Sequence, residues 1–236
     1  MNVLAARRIA GEVVGSALLA AVVVGSGIAA QQLSSDPGLQ LLENALVTAL
    51  GLTVLILVFQ RVSGAHFNPV VSLADAALGY RSWAEVARYV PAQVAGCIAG
   101  TVLANLMFGV DAVSWSTTDR ATWPHLLAEV VATAGLVLVI FGLFRAGHGV
   151  LIAPAVGAYI GAAYFFTSST SFGNPAITVG RMFSATFAGI APTSVPPYLA
   201  AQLVGGLVGW LAVRAFYPES RPAIPTRAAR GSSASS

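Results

Sequence analysis

Apolar residues crowd into six stretches of this chain, at about 9–30, 40–60, 84–107, 125–144, 149–168 and 196–217. Each is long enough to cross a hydrocarbon layer of about 30 Å as a helix. Two shorter apolar segments, 69–78 and 175–187, are too short to cross, because ten residues of helix rise only about 15 Å. Both open on the same chemistry, Asn68-Pro69-Val70 in one and Asn174-Pro175-Ala176 in the other. Asn is a preferred N-cap, its side-chain oxygen accepting a bond from an orphan backbone N–H. Pro suits the first helical position, where no N–H is needed. Gly79 and Gly189 offer stops. A single Asn-Pro is more often an ordinary turn; two in matched positions of a membrane chain predict paired half-helices and a pathway at the bilayer midplane.

The positions do match, because the halves repeat. Glu12-Val-Val-Gly-Ser-Ala corresponds to Glu129-Val-Val-Ala-Thr-Ala, and Tyr89-Val-Pro-Ala-Gln93-Val-Ala-Gly96 to Tyr198-Leu-Ala-Ala-Gln202-Leu-Val-Gly205. Each half, about 7–107 and 124–217, holds three spans, so the second enters the membrane inverted relative to the first. The expected fold is therefore all-α, six transmembrane helices plus two re-entrant half-helices meeting N-terminus to N-terminus. Residues 1–217 form one channel-like domain, and 218–236, rich in Pro, Ser and Arg, reads as a disordered tail.

Composition sharpens this picture. Only 9% of residues are charged and the mean hydropathy is +0.78, against about 25% charged in ordinary globular chains. An integral membrane protein follows, multi-pass in a plasma or inner membrane. All 12 basic residues are Arg, and with both termini inside ten of them are cytoplasmic, leaving only Arg120 and Arg181 outside. That asymmetry satisfies the positive-inside rule and assigns the basic pI to orientation and lipid contact rather than to nucleic acid. The lone Cys97 excludes an intrachain disulfide and reads as a packing residue.

The chemistry available is sparse. Where the half-helices meet, their dipoles place positive charge at one point of the pathway, and Asn68 and Asn174 present amide donors between apolar walls. A neutral hydroxylated solute finds partners there, while a cation meets a barrier. Glu12 and Glu129 are carboxylates within spans, costly unless used. His66 has no neighbouring Cys, Asp or Glu cluster, so no metal or other cofactor is expected. Nothing resembles a nucleophile–base pair or a phosphate loop, so no enzyme is expected either.

Ser63-Gly-Ala-His66-Phe-Asn68-Pro69, Gly173-Asn174-Pro175-Ala176, Glu12, Glu129, Gln93 and Gln202 together resemble the aquaporins, or major intrinsic proteins, over about 7–217. The resemblance implies a homotetramer with one pore per subunit, with Glu12, Glu129 and His66 supporting the pore loops. Val70 in place of Ala is a mild departure. A larger one lies at the outer constriction, where water-selective members carry Arg after the second Asn-Pro-Ala and this chain has Ile177. By the same resemblance the remaining filter positions are Leu50, Ala162 and Ser171, giving a wide, uncharged filter. The segment after Asn174 is similar to channels that accompany bacterial arsenic-resistance genes, which implies arsenite and related neutral hydroxides, with glycerol-like polyols, as solutes. Arg181, one turn beyond Ile177, either lines the outer vestibule or snorkels at the surface. Two other functions remain: a water-selective aquaporin, and, from a different class, a gradient-driven secondary transporter, which needs paired acids at the midplane and has only Glu12 and Glu129 to serve.

Overall fold

The computed structural model describes residues 3–218, so the expected tail lies outside the described residues except for Pro218. Eight α-helices follow in order: α1 (Val3–Leu33), α2 (Pro37–Phe59), α3 (Pro69–Ala77), α4 (Trp83–Met107), α5 (Trp123–Arg145), α6 (Ile152–Phe166), α7 (Pro175–Arg181) and α8 (Val195–Phe216). Among the described residues six helical segments are long and apolar enough to span a membrane, all but α3 and α7. Their even number returns the chain to the face it started from, here called the termini face; the opposite one is the far face.

The closest helix pairings repeat in the two halves, α1 against α4 and α5 against α8. Glycines permit them. A Cβ on Gly96 or Gly100 would run into the carbonyl oxygens of Val13 and Ala17. The repeat partners Gly205 and Gly209 would place one 2.5 Å from the Val130 oxygen and 2.6 Å from that of Ala134. Lipid tails are as apolar as leucine, so close van der Waals approach rather than hydrophobic burial holds such helices together. The halves join where α2 crosses α6, with Gly157 seated on Ala49 and Thr53.

The half-helices differ from expectation at one end. The first matches closely, but α7 stops at Arg181, short of the predicted 187. The carbonyls that would continue it are taken: Ser116 donates to the Met182 oxygen, and Ser114 and the Asn105 amide donate to that of Phe183. Residues 182–191 are therefore pulled into a folded loop against 112–118, which Ala191 completes by donating to the Thr118 carbonyl.

The half-helix α3 also explains Val70. A Cβ on Gly206 of α8 would sit 2.5 Å from Val70 Cγ1, so the larger residue at this position is accommodated by a glycine opposite. Gly206→Ala is expected to cost about 1–3 kcal/mol through overpacking, and Val70→Ala in the same chain to recover most of it. Thermal unfolding of the two single variants and the double variant measures that coupling.

Candidate functional site

The N-termini of α3 and α7 meet near the centre of the bundle, each capped as the sequence predicts. Asn68 Oδ1 accepts from the Val70 N–H at 2.9 Å, and Asn174 Oδ1 from Ala176 and Ile177 at 3.0 and 3.3 Å. The amide nitrogens are committed further than expected. Asn68 donates to the Gly173 carbonyl and Asn174 to that of Phe67, both at 2.8 Å. Each half-helix is thus tied to the loop of the other, and one N–H per amide remains for the cavity that both line.

Both loops have the same unusual backbone. The residues one and three before each Asn have positive φ: Phe67 (50°) and Ala65 (53°), Gly173 (53°) and Ser171 (49°). For a non-glycine residue this costs about 1–2 kcal/mol. It turns successive N–H groups the same way, into a concavity that holds an anion. The occupant is a carboxylate from the first span of the same half, α1 or α5. Glu12 accepts from the N–H groups of His66 (3.1 Å) and Phe67 (2.8 Å), from the Ser63 hydroxyl (2.5 Å) and from Gln93 (2.7 Å). Glu129 accepts from Phe172 and Gly173 (both 2.9 Å) and from Gln202 (2.6 Å). The glutamines brace the half-helices in turn, Gln93 through Ser72 and Gln202 through Thr178, each at 2.9 Å. Both carboxylates are fully buried, and such bonds are what make a buried charge tolerable.

A cavity runs past both Asn side chains. Its walls are stripes at four-residue spacing: Thr48, Leu52 and Ile56 from α2, Val156, Ile160 and Tyr164 from α6, with Leu19, Val23, Leu136 and Ile140 between them. It shares Ile56, Ala65, His66, Val71, Ile140 and Val156 with a second cavity that reaches Asp75, Tyr80 and Arg81. At that mouth Asp75 pairs with Arg81 (2.8 Å) and with His66 Nε2 (3.3 Å). Burial disfavours the charge on Arg81, but its bond to Asp75 and the nearby acids outweigh this and raise its pKa. His66 thus has one carboxylate and Ser72 as neighbours, and the described residues hold no cluster of three metal-ligand side chains.

The other end of the cavity departs from expectation at two positions. Leu50 is 60% exposed on the outside of α2, and Ala162 is exposed on the outside of α6. Thr48 and Tyr164 line the cavity instead, their hydroxyls 3.2 Å apart. Two residues along a helix turn about 200° about its axis, so a register error of two points a side chain the wrong way. Ser171 and Ile177 line the cavity as expected. No signal in the sequence separates the two registers of α2, because Leu42, Leu46, Leu50 and Val54 form an equally apolar four-residue stripe on its exposed face.

Arg181 lines this end too and does not snorkel, being only 2% exposed. Its Nε donates to the Ala188 carbonyl, and its guanidinium carbon lies 3.5 Å from the centre of the Phe172 ring. Arg120, expected only in an outer loop, joins it. Its side chain donates to the carbonyls of Gly189 (2.8 Å) and Phe187 (3.1 Å), and its guanidinium carbon is 5.4 Å from the same ring. Three consecutive carbonyls, 187–189, therefore hold two arginines. Burial lowers the Arg120 pKa, against the raising influence of Tyr198 and Glu129.

Comparison with known proteins agrees with this architecture. The family model described as Major intrinsic protein matches residues 1–173. The chain belongs to the major intrinsic protein family. Among relatives of this major intrinsic protein, aquaglyceroporin AqpS of Rhizobium meliloti (strain 1021) is 44% identical over 218 residues, covering 92% of this chain and 93% of that one. Probable aquaporin NIP7-1 of Arabidopsis thaliana is 29% identical over 222 residues, covering 92% and 78%. The X-ray structure of the aquaglyceroporin from Plasmodium falciparum superimposes with a TM-score of 0.68 at 22% identity, over 90% of this chain and 95% of that one. At that identity the likeness concerns the fold.

Proposed function

We propose that this protein is a passive channel for small neutral hydroxylated solutes, with arsenite, related metalloid hydroxides and glycerol-like polyols as its substrates. The observation that carries the reading is the lining of the cavity. Aliphatic stripes run its length, with donors and acceptors that suit hydroxyl groups set among them: the free N–H of Asn68 and of Asn174, then Ser171, Thr48 and Tyr164. A solute that sheds water along the aliphatic walls regains hydrogen bonds at these points, which makes passage cheap for a polyol. Arg181 at one end of the path repels cations. Glu12 and Glu129, each bound under a pore loop, are occupied in holding the loops, which weighs against a carboxylate-coupled transporter. The name of the relative AqpS, an aquaglyceroporin, supports the solute class. We further propose a homotetramer with both termini cytoplasmic. The arginine distribution and the exposed apolar face of α2, with Leu42, Leu46, Leu50, Val54 and Leu57, support these assignments.

A second reading, a water-selective pore, draws on Tyr164. Its ring stands where alanine was expected, and it narrows the path. Stopped-flow light scattering on proteoliposomes separates the two. Rapid glycerol and arsenite entry is expected for the wild type. Ile177→Arg, which adds a second guanidinium one turn from Arg181, should cut it about tenfold, equivalent to about 1.4 kcal/mol of barrier. Fast water flux with neither solute passing would establish the water channel instead.

A further inference from the structure

One end of the cavity carries the buried guanidinium of Arg181, with the half-buried Arg120 near it on the same stretch of backbone. Among the described residues, neither Arg120 nor Arg181 lies within ion-pair distance of an acid. Asp119, the nearest acid in sequence, is turned away to the Ser194 hydroxyl and the Ala121 N–H. Arg181 uses only its Nε, so the four N–H groups on its terminal nitrogens have no hydrogen-bond partner among the described residues. A guanidinium buried to 2% exposure with its fork unsatisfied is costly, and its place on the cavity wall gives the fork somewhere to point. Beside it on the same wall, the Ser171 hydroxyl is buried and also without a partner. The carbonyls of 187–189 hold both arginines in place, so the arrangement is rigid before any ligand arrives.

We propose that this cluster is a binding site for small monovalent planar oxyanions, of which formate and nitrate are the simplest, and that an anion bound there slows the passage of neutral solutes. The proposal rests on the channel reading for its effect on flux but not for the binding itself. The chemistry is that of guanidinium and carboxylate: two parallel N–H···O bonds from a planar fork to a planar anion, each stronger than a neutral bond. Ser171 supplies a further hydroxyl, and Arg120 adds attraction without competing for the same oxygens. The anion is held rather than passed, because leaving Arg181 forfeits the paired charged bonds of its fork, and along the aliphatic stripes of α2 and α6 only single neutral donors replace them. Larger anions such as gluconate should be excluded by the ring of Tyr164.

Two measurements on the full-length protein test this. Line broadening of carbon-13 formate by the purified protein in bicelles reads binding directly, and glycerol flux into proteoliposomes in formate, nitrate or gluconate reads the consequence. Formate should broaden in a saturable way that nitrate competes away, and each should lower the glycerol rate about two-fold at a concentration equal to its own Kd. Gluconate should do neither. Nitrate carries no titratable proton at neutral pH, so its effect separates site occupancy from formic acid crossing the lipid. Arg181→Gln should abolish the broadening. Should that variant fail to give a monodisperse protein, Arg120→Gln, which lies in the loop, should weaken formate binding severalfold. Unchanged broadening in a folded variant of either residue, or normal glycerol flux in saturating formate, would overturn the site. Formate binding without glycerol flux would leave the site standing and remove the channel reading.

Discussion

Glu129→Gln is expected to collapse the second pore loop, with solute flux falling more than about tenfold and the protein melting markedly earlier. The carboxylate accepts from Phe172, Gly173 and Gln202. A glutamine keeps the shape but offers one acceptor, and its NH2 faces donors. Bonds to a charged group contribute about 1.5–3 kcal/mol each, and a buried N–H left without a partner costs a similar amount. Losing two therefore weighs about 3–6 kcal/mol against a loop already carrying positive φ at Thr170 and Ser171. At about 2–4 °C per kcal/mol for a chain of this size, the melting temperature should drop by about 10 °C. Fluorescence-detected size exclusion after heating, run beside glycerol flux, checks both. Glu12→Gln should behave alike, since its carboxylate holds the corresponding N–H groups of His66 and Phe67. A variant that kept its melting temperature but lost a pH-dependent flux would point to proton relay instead.

The second large effect is at Tyr164. Its ring is the bulkiest group at the Arg181 end of the cavity, and its hydroxyl meets Thr48. Tyr164→Ala should open the constriction to four- and five-carbon polyols, raising erythritol and ribitol flux about tenfold or more, the factor that about 1.4 kcal/mol of relieved barrier gives. Tyr164→Phe keeps the width and removes the hydroxyl, so it should leave the size limit where it is and slow glycerol slightly. Equal size limits in the wild type and Tyr164→Ala, measured by osmotic swelling with a polyol series, would show that the narrowest point lies elsewhere.

Much of this molecule was legible before folding was considered, and for local reasons. Continuous apolar length marks a span whatever surrounds it, and the chemistry of Asn followed by Pro marks a helix start from two residues alone. Three spans per half force the inversion by arithmetic. Glu12 and Glu129 stand out because a carboxylate within a span demands partners, while the bonds to Gln93 and Gln202 came only with the folded structure. The end of α7 was less legible. Gly189 is a plausible stop by sequence, but the helix ends earlier because residues 112–118, distant along the chain, take the carbonyls of Met182 and Phe183.

The sequence by itself determined the spans, the paired caps and the buried supports under the loops, because each rests on a neighbourly preference or on the cost of charge in lipid. Only the tertiary structure decided which faces of α2 and α6 look inward, exchanging Leu50 and Ala162 for Thr48 and Tyr164, and that Arg120 and Arg181 share one stretch of backbone. The reason is that lipid and protein interior are alike apolar, so a membrane helix carries no strong amphipathic pattern to fix its rotation. That rotation is set by close packing against neighbours, and with it the identity of every residue that faces the pore.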